Sequence, residues 1–223
     1  MKARPAFLEI NKAHFPVTVL GPGRRIGLWV QGCSVGCNGC VSMDTWKTEA
    51  SKKVAIDDLL AWCKQVGTSG FDGVTISGGE PFDQAPALTV LLQKLREWRK
   101  GQNLDFDILC YSGYPFKTLQ SKHASVLALL DAVIPEPFID SQEPVSVWRG
   151  SANQSLVPLS DLGRHRYDAF VDKPLDDSDK KMQVAVEHGK IWMIGIPARG
   201  DMEKVEALCS SRGLRLQDVS WRR

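Results

Sequence analysis

The chain has no apolar run that approaches the ~20 residues of a membrane-spanning helix and no apolar signal core near its start, so it reads as a soluble, cytoplasmic protein. Charge of one sign is lacking too. With 28 Lys and Arg against 26 Asp and Glu, the net of +2 gives no reason to expect nucleic acid as a partner. The four histidines, at 14, 123, 165 and 188, are scattered and form no metal constellation. There is no second Cys-x2-Cys pair and no His-x3-His pair, which a structural zinc site would want. A bacterial ferredoxin run would need a further Cys-Pro, and none follows. Six cysteines without a secretion signal argue against a disulfide framework. Repeats and low-complexity segments are missing. What remains is 223 residues, 43% hydrophobic and 24% charged, which suits one globular domain or one domain with an extension.

Against those absences stands one dense stretch, Gly32-Cys33-Ser34-Val35-Gly36-Cys37-Asn38-Gly39-Cys40. Three thiols so close cannot all point outward from one helix face, so Cys33, Cys37 and Cys40 must converge on something. A cuboidal [4Fe–4S] cluster suits them: each thiolate takes a different iron, and Gly36 and Gly39 let the backbone wrap. Three ligands for four irons leave one iron open, which signals chemistry rather than scaffolding. A zinc site and a coincidental grouping are the competing explanations.

The rest of the chain alternates. Residues 7–10, 17–20 and 26–30 form short β-type runs, punctuated by a turn at Gly21-Pro22-Gly23. Residues 56–66 have helical spacing, with Cys63 on the apolar stripe as a small hydrophobe. The run 74–77 is a strand, followed by Gly78-Gly79-Glu80-Pro81 and a helix over 87–98. Such a loop lets a ligand lie against bare backbone, and Glu80 can accept a hydrogen bond from an ammonium group; a plain left-handed turn is the alternative. A strand over 106–111, with Cys110 in the core, ends in Ser112-Gly113-Tyr114. Helix then strand recur at 126–134. This α/β pattern predicts a parallel sheet curved into a partial (β/α) barrel, with the site at the C-terminal edge of the strands. Past residue 160 come predicted strands at 167–171, 182–186, 190–194 and 214–216, a His188-Gly189 turn, and a helix over 201–211 with Val205 and Leu208 inward. Residues 1–160 thus form the core, and 161–223 a C-terminal α+β extension in which Cys209 is inert.

The Cys33-x3-Cys37-x2-Cys40 motif resembles that of the radical S-adenosylmethionine (SAM) superfamily. Gly21-Pro22-Gly23-Arg24-Arg25 and Leu28-Trp29-Val30-Gln31-Gly32-Cys33 resemble the activating enzymes of anaerobic ribonucleotide reductase and pyruvate formate-lyase. So do Gly78-Gly79-Glu80, Tyr111-Ser112-Gly113-Tyr114 and Trp148-Arg149-Gly150-Ser151-Ala152-Asn153-Gln154. The resemblance covers about residues 17–160. It implies a [4Fe–4S] cluster on Cys33, Cys37 and Cys40, the residues that carry catalysis. It also implies SAM held by Gly78, Gly79 and Glu80, with Ser112 beside it. In that family SAM chelates the open iron and an electron from the cluster cleaves it to methionine and a deoxyadenosyl radical, which takes hydrogen from a substrate. An external one-electron donor of the flavodoxin or ferredoxin type is implied, and so is a glycyl radical enzyme as partner. Arg149 would pair with a carboxylate, of SAM or of a protein, or else be a surface arginine steadying its loop.

One segment departs from the pattern. Pro135-Glu136-Pro137-Phe138 stands where the relatives usually carry Asp-Gly-Pro-Phe or Asp-Gly-Arg-Phe, with Glu136 a partial substitute for the carboxylate. That difference and the extension leave room for a stand-alone radical enzyme acting on a small molecule or peptide. A non-catalytic iron–sulfur electron carrier is the reading from another class.

Overall fold

In this computed structural model the described residues are 6–176, 178–179, 181–187 and 190–222. In chain order the elements are β1 (Phe7–Val17), β2 (Arg25–Val30), β3 (Lys53–Ala55), α1 (Ile56–Gly67), β4 (Gly73–Gly78), α2 (Ala85–Gly101), β5 (Asp107–Tyr111), α3 (Phe116–Lys122), α4 (Ala124–Leu127), β6 (Ala132–Ile134), β7 (Val157–Pro158), α5 (Asp161–Val171), β8 (Met182–Glu187), β9 (Lys190–Gly195) and α6 (Asp201–Ser211). The first seven strands form one open sheet in the order β3-β1-β2-β4-β5-β6-β7; β8 and β9 form a separate antiparallel ribbon.

Neighbouring strands β2, β4, β5 and β6 are parallel, while on the flanks β1 pairs antiparallel with β2, β3 with β1 and β7 with β6. Parallel strands need both faces covered, and their sequences are correspondingly apolar. On one face Ile26, Leu28, Val74, Ile76, Ile108 and Val133 meet Leu59 and Cys63 of α1 and Leu88, Leu91, Leu92 and Leu95 of α2. Strand alternation turns Arg25, Trp29, Thr75, Asp107, Leu109 and Tyr111 to the other face. There α5 supplies Tyr167, which packs with Leu109, Ala132 and Ile134. The β9 residue Ile194 packs with Val17, Val19, Leu20 and Trp29.

A buried ion pair floors that second face. Arg25 Nη2 donates to Asp107 Oδ1 at 2.6 Å and Nη1 to Oδ2 at 3.2 Å, with both side chains at zero exposure. Arg25 Nε donates to Thr75 Oγ1 at 2.6 Å, and the Tyr167 hydroxyl donates to Asp107. A charge pair so far from water is held by this completed set of hydrogen bonds.

Several sequence expectations need correction. Residues 17–20 are not a strand of their own: β1 runs unbroken to Val17, and Val19 and Leu20 are buried beyond its end. Residues 167–171 are the last turns of helix α5, not a strand. Ser160 Oγ accepts from Gly163 N and starts that helix, and Gly163 fits under the Asp131 carbonyl, where a Cβ would lie at 1.8 Å. In α6 the residue turned inward is Met202, while Leu208 is 54% exposed. No strand occurs at 214–216 among the described residues. The expected His188-Gly189 turn lies outside the described residues.

Replacing Arg25 with Met removes the two closest cationic donors from buried Asp107 and leaves it the Tyr167 hydroxyl and Arg166 Nη1 at 3.4 Å. The expected loss is about 3–5 kcal/mol of unfolding free energy, read from the urea midpoint. Arg25→Met combined with Asp107→Leu should recover most of it. A single variant that loses under about 1 kcal/mol would show that the pair does not hold the floor.

Candidate active site

At the C-terminal ends of β2, β4 and β5 lies a cavity of about 200 Å³ whose wall contains Cys33, Cys37, Cys40, Gly78, Gly79, Glu80 and Ser112. Residues spread over eighty positions of sequence therefore share one space. Each parallel strand delivers its following loop to the same edge of the sheet, which explains the convergence.

Backbone contacts set the cysteine loop against the Gly78–Glu80 turn. Gly79 N donates to Val30 O at 2.9 Å and Glu80 N to Gly32 O at 2.8 Å. A Cβ on Gly79 would lie 2.0 Å from the Gly32 carbonyl oxygen, so only glycine permits this approach. Further along, Gly32 N donates to Thr45 O at 2.7 Å and Cys33 N to Trp46 O at 3.0 Å. The far flank of the loop is tied to the other end of the chain: Met43 N donates to Ser220 O at 2.8 Å, and Ser220 Oγ to Val41 O at 2.9 Å.

Asp83, in the short 3-10 turn Pro81–Gln84, clamps the same loop. It accepts from Ser34 N at 2.7 Å, from Ser34 Oγ at 2.9 Å and from the Tyr114 hydroxyl. Sequence reasoning misses Asp83, although it lies three residues after Glu80 in the same turn. It also misses Trp29 and Tyr111 on the cavity wall, and Gly195 at the end of β9 with Ile196 and Pro197 just after it.

Glu80 is at zero exposure. Its Oε1 accepts from Phe82 N at 3.0 Å and from Ser112 Oγ at 2.9 Å; Oε2 accepts from Gly113 N at 2.7 Å. Burial outweighs these donors and pushes the carboxyl up to about 7. Ser112 thus tethers Glu80, in addition to lining the cavity.

The thiols fit an iron–sulfur cluster. Burial pushes Cys33 and Cys37 up, and the charges pressing on them are Glu80 and the neighbouring thiols, all of which oppose ionisation. Thiolates at these positions call for the positive charge of metal. Among the described residues no three Cys, His, Asp or Glu side chains are gathered tightly enough for a single ion. The three thiols line one cavity, where a cluster would take one thiolate per iron. The other cysteines are elsewhere: Cys63 and Cys110 lie at zero exposure in the core, and Cys209 is on α6.

The loops after β6 complete the wall. Glu136, Phe138, Gly150 and Gln154 line the cavity. Glu136 adopts a φ of 84°, in the left-handed region that favours glycine. Its Oε1 accepts from Phe116 N at the start of α3, at 3.0 Å, so its carboxylate serves a helix terminus. Asn153 Nδ2 donates to Pro137 O at 2.8 Å and Gln154 Nε2 to Glu136 O at 2.9 Å, which laces the two loops together. Arg149 is not a surface residue, and among the described residues no carboxylate forms an ion pair with it. It is 4% exposed, and its Nη2 donates to the carbonyls of Phe170 and Val171 at 3.3 and 2.5 Å.

Residues 19–157 match the family model described as a 4Fe-4S single cluster domain. The anaerobic ribonucleoside-triphosphate reductase-activating protein of Haemophilus influenzae is 33% identical over 153 residues, 64% of this chain and 94% of that protein. The pyruvate formate-lyase-activating enzyme of Staphylococcus aureus is 44% identical over 85 residues, 36% of this chain and 34% of that enzyme. The crystal structure of QueE from Escherichia coli superimposes with a TM-score of 0.45 at 16% identity, over 94% of this chain and 92% of that one. Among the described residues no helix is long and apolar enough to cross a membrane. The chain belongs to the 4Fe-4S single cluster domain family and is a radical SAM oxidoreductase of the activating-enzyme type, working with a [4Fe–4S] cluster and SAM.

Proposed function

We propose that Cys33, Cys37 and Cys40 hold the cluster, that Gly78, Gly79 and Glu80 hold SAM with Ser112 beside it, and that the hydrogen abstraction installs a glycyl radical on a partner enzyme. The observation that carries this reading is the single cavity that takes all seven residues into its wall. When bound, the cluster and SAM supply a 5′-deoxyadenosyl radical by reductive cleavage. The chain's own residues position and shield. Glu80, buried among three donors, offers a carboxylate to an ammonium group. Gly79 keeps the cysteine loop close to that carboxylate, and Asp83 fixes the loop through Ser34. Trp29, Tyr111 and Phe138 give the cavity apolar walls that limit water near a reactive intermediate. A flavodoxin- or ferredoxin-type protein would supply the electron in the cytoplasm. Residues 1–160 would act as the radical SAM core, with 161–223 as an extension modifying its mouth.

A second reading, an enzyme that acts alone on a small molecule or peptide, is favoured by one observation. Gly195, Ile196 and Pro197 of the extension enter the cavity wall, where they would restrict access by a large partner.

The Glu80 carboxyl gives a pH test. With its value raised to about 7, the fold keeps a proton that the unfolded chain has released. That stabilisation is full below about pH 4.3 and is lost as pH rises through about 7. An ammonium ligand supplies the ionised carboxylate with a partner, so the rise in thermal midpoint given by SAM should grow from about pH 6 to about pH 8. Glu80→Gln should remove that pH dependence and weaken SAM binding roughly tenfold or more. Equal midpoint shifts at both pH values would count against Glu80 as the ammonium site. Gly79→Ala should cut the iron bound per chain after reconstitution to about half or less, because its Cβ displaces the Gly32 carbonyl. The decisive assay is 5′-deoxyadenosine formation by anaerobically reconstituted protein with SAM and dithionite. Wild type should form it and Cys33→Ala should not; equal yields from both would sink the reading.

A further inference from the structure

A second chamber adjoins the first. It has a volume of about 390 Å³ and meets the SAM-side cavity at Ile196, which lines both. Its walls come from the Gly21-Pro22-Gly23 turn, from Val147, Trp148 and Arg149, and from the extension between Phe170 and Ala198. The volume is that of a small-molecule site rather than a packing defect.

The chemistry of the chamber is cationic. Arg149, Lys173 and Lys181 line it, with Asp179 as the acid among its described lining residues. Asp179 is already satisfied: it accepts from Lys173 Nζ at 2.6 Å and from Asp176 N at 2.9 Å. Arg149 is not. One nitrogen, Nη2, is used on the Phe170 and Val171 carbonyls, while Nε is buried without any hydrogen-bond partner. Asp172 acts on this guanidinium only from beyond ion-pair distance, and a cation 4% exposed with no carboxylate hydrogen-bonded to it is costly to leave so. Burial also pulls Arg149 below its ordinary value, against the opposing pull of Asp172. Thr18, Ser146 and Ser178 add hydroxyl groups to the same wall.

We propose that this chamber is a binding site for a small molecule bearing a carboxylate or phosphate, anchored by the Arg149 guanidinium and separate from the SAM-side cavity. The forked donors of arginine suit either oxyanion, and Lys173 and Lys181 add charge at the wall. The apolar surface of Val19, Val147 and Trp148 would take the rest of the ligand.

The test uses the reconstituted holoprotein and reads tryptophan fluorescence, since Trp148 lines the chamber. Inorganic phosphate and succinate are titrated separately, at constant ionic strength. A saturable change with phosphate alone identifies a phosphate ligand; one with succinate identifies a carboxylate. Arg149→Gln should weaken binding about tenfold or more. Because Arg149 also holds the end of α5, Lys173→Gln serves as a second variant that spares those bonds, with an expected loss of roughly threefold. SAM affinity should be unchanged in Lys173→Gln. No saturable change with either anion, or identical binding by wild type and both variants, overturns the proposal. An equal loss of SAM affinity would assign the chamber to SAM and overturn it as well. None of these readouts needs SAM cleavage, so failure here leaves the radical SAM assignment standing.

Discussion

The approach of Gly79 to the Gly32 carbonyl is the contact on which the site depends. Strands β2 and β4 are neighbours with a parallel register that ends at Val30 and Gly78, so the loops that follow them must share the same volume. Any side chain at 79 would separate them. With none, the Glu80 amide reaches the Gly32 carbonyl, the cysteine loop begins beside the carboxylate, and Asp83 in the next turn can hold Ser34. The spacing of the motifs in sequence therefore matters less than the strand register that brings them level.

The two faces of the sheet divide the work. One is a conventional apolar layer against α1 and α2, in which Leu and Ile side chains hold the strands in register. The other is mixed, with a buried ion pair at the start of β2 and β5 and aromatic residues toward their ends. Helix α5 and the β8–β9 ribbon cover it. Covering that face from the C-terminal third is what turns an open sheet edge into enclosed space, first around the cysteines and then around Arg149.

Much of this was legible in the sequence. Helical spacing finds α1 and α2, a β-branched run finds β4, a short apolar run finds β5, and the alternation of helix and strand announces the parallel centre. The cysteines and the Gly78–Glu80 turn were legible because motif residues need particular backbone freedom and charge. Errors arose where tertiary contacts override local pattern. Tyr167-Asp168-Ala169-Phe170-Val171 looks strand-like by composition, yet Ser160 caps a helix and Tyr167 is buried against Asp107. Leu208 is 54% exposed while Val205 is half-buried, because α6 is turned so that Met202 is its buried residue. Asp83 and Arg149 carry their meaning in partners 49 and 22 residues away, and no local signal reports such pairings.

The tie between Ser220 and the Val41–Met43 segment bears on the order of events during synthesis. The hydrogen bond from Ser220 Oγ to Val41 O spans 179 residues, and the matching one from Met43 N to Ser220 O spans nearly as many. A ribosome releases the cysteines long before it releases Ser220. The nascent chain can therefore build its sheet and present three thiols while that flank of their loop is still unfastened. The fastening comes only once Ser220 itself has been made.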